Sequence, residues 1–216
     1  MFYPSFLLFP MELVGTVAFS ASGAAMAIRK GMDLFGVCVL GVITAVGGGM
    51  MRDVILGIVP SALLSPVYVM TACLTALALF LGFSVCQRGL QGNLKTLSDQ
   101  ILLLMDAVGL GIFTVVGVNT GIQHGYTHEL FLLVFLGTLT GVGGGLLRDV
   151  LAGEPPSILV RHIYACASIG GALSYIWAGR HLGSLPALIL SPALVVLIRI
   201  LAARYRWNLP RISLHP

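Results

Sequence analysis

Between Asp53 and Arg88 the chain runs for 34 residues without an Asp, Glu, Lys or Arg. Six more charge-free runs follow the same habit: 16 residues between Glu12 and Arg29, 22 between Asp106 and Glu129, and 18 in each of the intervals Asp33 to Arg52, Glu129 to Arg148, Arg161 to Arg180 and Arg180 to Arg199. A helix needs about 20 mostly apolar residues to cross a hydrocarbon layer of about 30 Å, so each of the six matches one crossing. The longest run holds two, because Pro60 and Pro66 interrupt it. Only 9% of the residues are charged and 57% are hydrophobic, far from the roughly 25% charge of a water-soluble domain. A β-barrel would alternate polar and apolar residues in segments of about 10, which these runs do not do.

The expected fold is therefore all-α and integral to the membrane, a single domain over residues 1–216 with seven spans at 8–28, 34–59, 67–86, 101–122, 130–152, 158–178 and 183–203, and a tail at 204–216. Residues 8–28 read as a retained span, because no Lys or Arg precedes them as a signal peptide requires. Net charge is +4, but the basic residues form no single soluble face, so no nucleic-acid partner is expected. With seven spans, Arg29, Lys30, Arg88, Lys95, Arg161, Arg204, Arg206 and Arg211 fall on one side and Arg180 on the other. The positive-inside rule then places the C-terminus in the cytoplasm and the N-terminus outside.

An internal repeat organises the chain. Gly47-Gly48-Gly49-Met50-Met51-Arg52-Asp53-Val54 returns 96 positions later as Gly143-Gly144-Gly145-Leu146-Leu147-Arg148-Asp149-Val150, with six identities in eight. The same offset pairs Leu40 with Leu136, Gly41 with Gly137, Thr44 with Thr140, Gly57 with Gly153, Pro60 with Pro156, Ser61 with Ser157 and Tyr68 with Tyr164. At an offset of 94, Gly15, Phe19, Gly23 and Gly31 meet Gly109, Phe113, Gly117 and Gly125, and Glu12 falls on Asp106. Repeat 1 covers 8–86 and repeat 2 covers 101–178. Each holds three spans, an odd number, so the second copy enters from the opposite face, and the seventh span at 183–203 lies outside the symmetry. Transport sites in such inverted repeats form where the copies meet near the midplane.

The triplets Gly47, Gly48, Gly49 and Gly143, Gly144, Gly145 lie deep, Gly47 about 20 Å into its span at 1.5 Å per residue. Successive glycines cost about 1 kcal/mol each in a helix interior. They are expected to kink or break their helices and line a wet cavity. The other reading is close helix packing, since Gly41, Ala45 and Gly49, and Gly137, Gly141 and Gly145, are small residues four apart.

Arg52, Asp53, Arg148 and Asp149 follow the triplets as charges at membrane depth, which points to a polar pathway or a buried salt bridge; interfacial anchoring is the alternative. Neighbouring helical residues point about 100° apart, so the Arg and Asp of one pair are expected to need different partners. Glu12 and Asp106, near the starts of spans 1 and 4, are candidates for attracting cations at opposite mouths or for satisfying free helix-start amides. Ser20, Ser22, Thr44, Thr114, Asn119 and Thr140 are expected to hydrogen-bond between helices, with lining a pore as the other reading.

Cys38, Cys73, Cys86 and Cys166 show no paired spacing and read as apolar packing residues. His124, His128, His162, His181 and His215 are scattered without ligand spacing, so no metal or other cofactor is expected. No nucleophile, base and orienter can be assembled, and the glycines lack both the Lys-Ser/Thr of a P-loop and the strand that precedes a dinucleotide site. Enzymatic activity is not expected.

The doubled Gly-Gly-Gly-x-x-Arg-Asp motif, with Gly31-Met32-Asp33-Leu34-Phe35-Gly36-Val37 before the first copy and Met105-Asp106-Ala107-Val108-Gly109-Leu110 opening the second repeat, resembles the bacterial inner-membrane family related to trimeric intracellular cation (TRIC) channels. Some members of that family are named glycine transporters. The resemblance spans Glu12 to Pro210. It implies a homotrimer in the bacterial inner membrane whose protomers each hold a pore for K⁺ or Na⁺ around kinked second and fifth spans. It further implies that the six triplet glycines are the kinks and Arg52, Asp53, Arg148 and Asp149 the motif charges. The lysine-bearing motif and basic tail of the animal channels are absent, so their regulation is not implied. A carrier for glycine or another small amino acid is the alternative, and a scaffold that uses its glycines only for packing is a third.

Overall fold

The structure is a computed structural model and describes residues 5–87, 94–160, 163–205 and 207. Nine α-helices occur among them: α1 (Ser5–Arg29), α2 (Leu34–Ile55), α3 (Ser61–Leu64), α4 (Pro66–Gln87), α5 (Leu94–Gln123), α6 (Leu130–Leu151), α7 (Ser157–Val160), α8 (Ala165–His181) and α9 (Ser184–Arg204). Six of them, α1, α2, α4, α5, α6 and α9, are long and apolar enough to cross a membrane. α8 has 17 residues, about 26 Å at 1.5 Å per residue.

Three expected boundaries are corrected. The second span ends at Ile55, not 59, and the fourth begins at Leu94, not 101. The sixth does not run on from 158, because Ser157–Val160 forms a separate turn of helix and α8 starts at Ala165. Arg88, Arg161, His162, Arg206, Arg211 and His215 lie outside the described residues, as do the side chains of Cys86 and Lys95.

The helix ends follow from local chemistry. Asp33 caps α2, its carboxylate accepting from the Gly36 amide at 2.8 Å. At the other end Gly57 takes a left-handed φ of 69°, and the Ile58 amide turns back to the Asp53 carbonyl at 3.0 Å. The same stop ends α6: Gly153 has φ 66° and the Glu154 amide reaches the Asp149 carbonyl at 2.9 Å. This closure needs a residue free of a Cβ penalty, which is why glycine stands at both places.

The order long, long, short, long occurs twice, and the packing repeats with it. α1 packs on α2 and α4, and α5 on α6 and α8; α1 meets α5, α2 meets α6, and α9 closes over α5 and α8. The contacts between the halves are reciprocal. A Cβ on Gly15 would meet the Phe113 ring, and one on Gly109 would meet the Phe19 ring. Phe19 and Phe113 stack with centroids 5.2 Å apart. Likewise, a Cβ on Gly48 would strike the Thr140 carbonyl and one on Gly144 the Thr44 carbonyl.

At that crossing neither helix is broken. Both triplets lie inside continuous α-helix, Leu34–Ile55 and Leu130–Leu151. Gly48, Gly143 and Gly144 stand where two backbones touch: a Cβ on Gly143 would come within 3.0 Å of the Gly48 Cα. The cost of the glycines in propensity is offset by contact that larger residues would prevent, and the ladder keeps its hydrogen bonds.

Candidate functional site

The motif charges sit directly after the crossing, and their first partner is not the expected one. Each arginine curls back onto its own neighbour: Arg52 Nε and Nη2 donate to Asp53 Oδ1 at 2.7 and 2.6 Å. Arg148 Nε and Nη2 donate to Asp149 Oδ1 at 2.9 and 2.8 Å. The long guanidinium arm spans the 100° that separates the two Cβ directions, so the pair meet each other in addition to separate partners. Each aspartate spends its other oxygen on the short helix that follows. Asp53 Oδ2 accepts from the Ser61 amide at 2.9 Å and its hydroxyl at 3.2 Å, and Asp149 Oδ2 accepts from the Ser157 amide at 2.7 Å. All four charges are buried, so plain interfacial anchoring is not what they do.

In the second half the cluster is closed. Arg148 Nη1 donates to Asp106 Oδ1 at 2.6 Å and to Ser22 Oγ at 2.5 Å, joining α6, α5 and α1. Tyr164 donates its hydroxyl to the same Asp106 oxygen at 3.1 Å. Arg199 of α9 donates to Asp106 Oδ2 at 3.4 Å, with its guanidinium 4.5 Å from the centre of the Tyr164 ring. Asp106 is 2% exposed and stands twelve residues after the start of α5. It thus lies within its helix and accepts from side chains, not from free helix-start amides, because α5 begins seven residues before the expected span.

In the first half the same types are arranged loosely. Tyr68 donates its hydroxyl to Glu12 Oε2. No hydrogen bond or ion pair joins Arg52 to Glu12 among the described residues; space lies between them instead. A cavity with room for about 30 Å³ of water is lined by Glu12, Thr16, Gly49, Arg52, Ser61 and Tyr68, together with Ala45, Phe113 and Val116. A larger one, about 240 Å³, is lined by Phe9, Glu12, Tyr68, Asn119, Thr120 and Gln123. Glu12 and Tyr68 border both. A volume of 10–15 Å³ admits a water when polar groups are present to hold it, so both can be wet.

The third glycine of each triplet registers the same difference. A Cβ on Gly145 would come within 2.5 Å of the Tyr164 hydroxyl and 3.4 Å of Asp106 Oδ1. A Cβ on Gly49 would meet only Arg52 Nη2, at 3.9 Å.

Of the polar residues within spans, Ser20 donates to the Ala72 carbonyl at 2.6 Å, Thr114 pairs with Ser168 at 2.6 Å, and Asn119 accepts from Tyr175 at 3.3 Å, all between helices. Thr44 and Thr140 instead bond back to the Leu40 and Leu136 carbonyls of their own helices, each at 2.6 Å. Cys38 and Cys73 are half-buried, and Cys166 is exposed. No group of three or more His, Cys, Asp or Glu side chains that could hold a metal occurs among the described residues.

Sequence reasoning missed the roles of Tyr68, Tyr164 and Arg199. The tyrosines were visible as a repeat match at the 96-residue offset, and Arg199 as the one Asp, Glu, Lys or Arg within the last span before Arg204.

Comparison with known proteins bears on this arrangement. The family described as "Glycine transporter" matches residues 9–84 and 103–180, one block in each half. The UPF0126 inner membrane protein YadS of Escherichia coli (strain K12) is 36% identical over 212 residues, covering 96% of this chain and 97% of its own. Among solved structures, a prokaryotic TRIC channel superposes with a TM-score of 0.84 at 31% identity, covering 94% of this chain and 99% of that one. The TRIC trimeric intracellular cation channel orthologue from Rhodobacter sphaeroides gives 0.82 at 31% identity, covering 94% and 100%.

Proposed function

The chain belongs to the TRIC family, which is the family of the YadS-type membrane proteins, and from that premise we propose that it is a monovalent cation channel conducting K⁺ and Na⁺. The observation that carries this reading is the place of Glu12: a half-buried carboxylate that borders two cavities large enough for water and is joined to no basic side chain by a hydrogen bond or ion pair among the described residues. A fixed negative charge at such a point compensates an ion for the hydration it sheds. In our reading the path enters past Phe9 and Gln123, passes Glu12 and Tyr68, reaches Arg52 and Gly49, and continues beyond the glycine crossing to Asp106, Arg148 and Asp149. The six triplet glycines shape its waist and the motif charges line it. The closed Asp106 cluster makes this a non-conducting conformation.

The architecture we propose is two inverted three-helix repeats, residues 8–86 and 101–178, with α8 as the sixth crossing, α9 as the seventh and a tail from 204. Two observations support inversion. The contacts between halves are reciprocal, the signature of a two-fold axis. In addition, Arg29 in the last turn of α1 pairs with Asp99 near the start of α5 at 3.1 Å and with Glu154 beyond the end of α6 at 3.4 Å, so α1 and α5 run in opposite directions. We place this basic end of α1 in the cytoplasm of a bacterium, with the N-terminus outside, the C-terminus inside, and three protomers in the inner membrane. The solved relative named as trimeric supports the last point.

One observation favours a second reading, a carrier of glycine or another small amino acid. The smaller cavity presents both Glu12 and Arg52 without a hydrogen bond between them, a pairing suited to a zwitterion. Reconstitution separates the two. Purified protein in planar bilayers gives discrete unitary K⁺ currents if it is a channel; saturable glycine uptake by proteoliposomes without such currents overturns that reading.

A further inference from the structure

We propose that Arg199 is a tethered cation that occupies, at Asp106, the place a permeating cation takes, and so holds the second half of the pathway shut. The inference rests on the channel reading above. It starts from a count of like against like. Asp106, Tyr164, Arg148, Asp149 and Ser157 each have a repeat counterpart, in Glu12, Tyr68, Arg52, Asp53 and Ser61. Arg199 has none, because α9 follows both repeats. The Asp106 cluster is therefore balanced, two carboxylates against two guanidiniums, whereas the Glu12 cluster carries two carboxylates against one. Both cavities border the Glu12 cluster, with its surplus negative charge, and neither is lined by a member of the Asp106 cluster.

The way Arg199 is held fits an exchangeable occupant rather than a structural pair. Arg148 meets Asp106 at 2.6 Å, as close as a strong charge-assisted bond brings two such groups; Arg199 meets it at 3.4 Å, well beyond the roughly 2.7–2.9 Å of such bonds. Its Nε is buried without a hydrogen-bond partner, although an arginine fixed for stability inside a membrane protein satisfies its donors. What it does have is the face of Tyr164, 4.5 Å away, and an aromatic face attracts any cation. A carboxylate edge and a ring face thus surround one positive charge. The tether supplies that charge from within the protein, so the site needs no ion while it is closed, and a cation arriving from solution competes with Arg199 for Asp106.

The test is K⁺ flux through proteoliposomes as a function of K⁺ concentration, for wild type, Arg199→Gln, Arg199→Lys and Glu12→Gln. Removing one contact charge from the blocked site raises the flux of Arg199→Gln by at least about tenfold at low K⁺. Arg199→Lys, which keeps the charge, remains close to wild type. In wild type the flux reaches half-saturation only at a K⁺ concentration at least about tenfold above that of Arg199→Gln, because K⁺ must first displace Arg199. Arg199→Lys shares the wild-type half-saturation, which a merely structural arginine would not tie to the charge, and Arg199→Met takes the place of Arg199→Gln if that variant fails to assemble. A half-saturation and a low-K⁺ flux in the uncharged variant equal to wild type overturn the proposal while leaving the channel reading intact. Absence of K⁺ flux from all four proteins overturns the channel reading and the proposal with it.

Discussion

Arg148 reaches Asp106 across the α5–α6 interface at 2.6 Å, while their repeat counterparts Arg52 and Glu12 are joined by no hydrogen bond and face a common cavity. One sequence motif thus occurs in two conditions within one molecule, closed in the second half and open in the first.

The two acids therefore differ in what they contribute to stability. Asp106→Asn leaves Arg148 and Arg199 buried with too little countercharge, and losing one partner of a buried pair costs about 3–5 kcal/mol. Thermal unfolding of the purified protein in detergent should fall sharply for Asp106→Asn. Glu12→Gln, at a half-buried position bordering two cavities, should stay within about 1 kcal/mol of wild type. Equal losses at the two sites would show that the halves are not in different states.

Gly48 and Gly144 are contact glycines and Gly49 is not. Alanine at Gly48 drives its Cβ into the Thr140 carbonyl, and at Gly144 into the Thr44 carbonyl, backbone atoms that cannot turn aside. Overpacking of this kind costs about 1–3 kcal/mol or more. Gly49→Ala meets only Arg52 Nη2 at 3.9 Å, so it should be neutral or gain up to about 1 kcal/mol in helix propensity. It also narrows the smaller cavity, so K⁺ flux should drop while the unfolding temperature holds or rises. A Gly49→Ala protein with unchanged flux would remove that cavity from the pathway.

The tyrosines separate the halves again. Tyr164→Phe removes one of several donors to Asp106, costs about 1 kcal/mol, and leaves the arginines in place. Tyr68→Phe removes the single side-chain donor to Glu12 among the described residues and frees the carboxylate between the two cavities. Single-channel recordings should show a changed unitary conductance for Tyr68→Phe and an unchanged one for Tyr164→Phe; the reverse order would place the narrow part of the path at Asp106.

Much of this was legible in the sequence, for physical reasons. Lipid admits few charges, so the runs between charges marked the helices, and the 96-residue echo of Gly-Gly-Gly-x-x-Arg-Asp marked the two halves before any coordinates. Side-chain reach was not legible. Nothing in the order of residues says that Arg52 folds back on Asp53, or that continuous helix survives three glycines when another helix lies against them. The depth of Asp106 was hidden because α5 extends past the apolar run into the polar stretch from Leu94. Arg199 was the least visible, since its role depends on α9 lying against the second half and having no counterpart on the first.

Unitary conductance in symmetric K⁺ decides whether Glu12 stands in the ion path. Neutralising a path-lining carboxylate removes up to about 1–4 kcal/mol of attraction at contact distance. Glu12→Gln should form channels with a several-fold smaller unitary current and wild-type thermal stability. Glu12→Gln channels with wild-type conductance would put Glu12 outside that path.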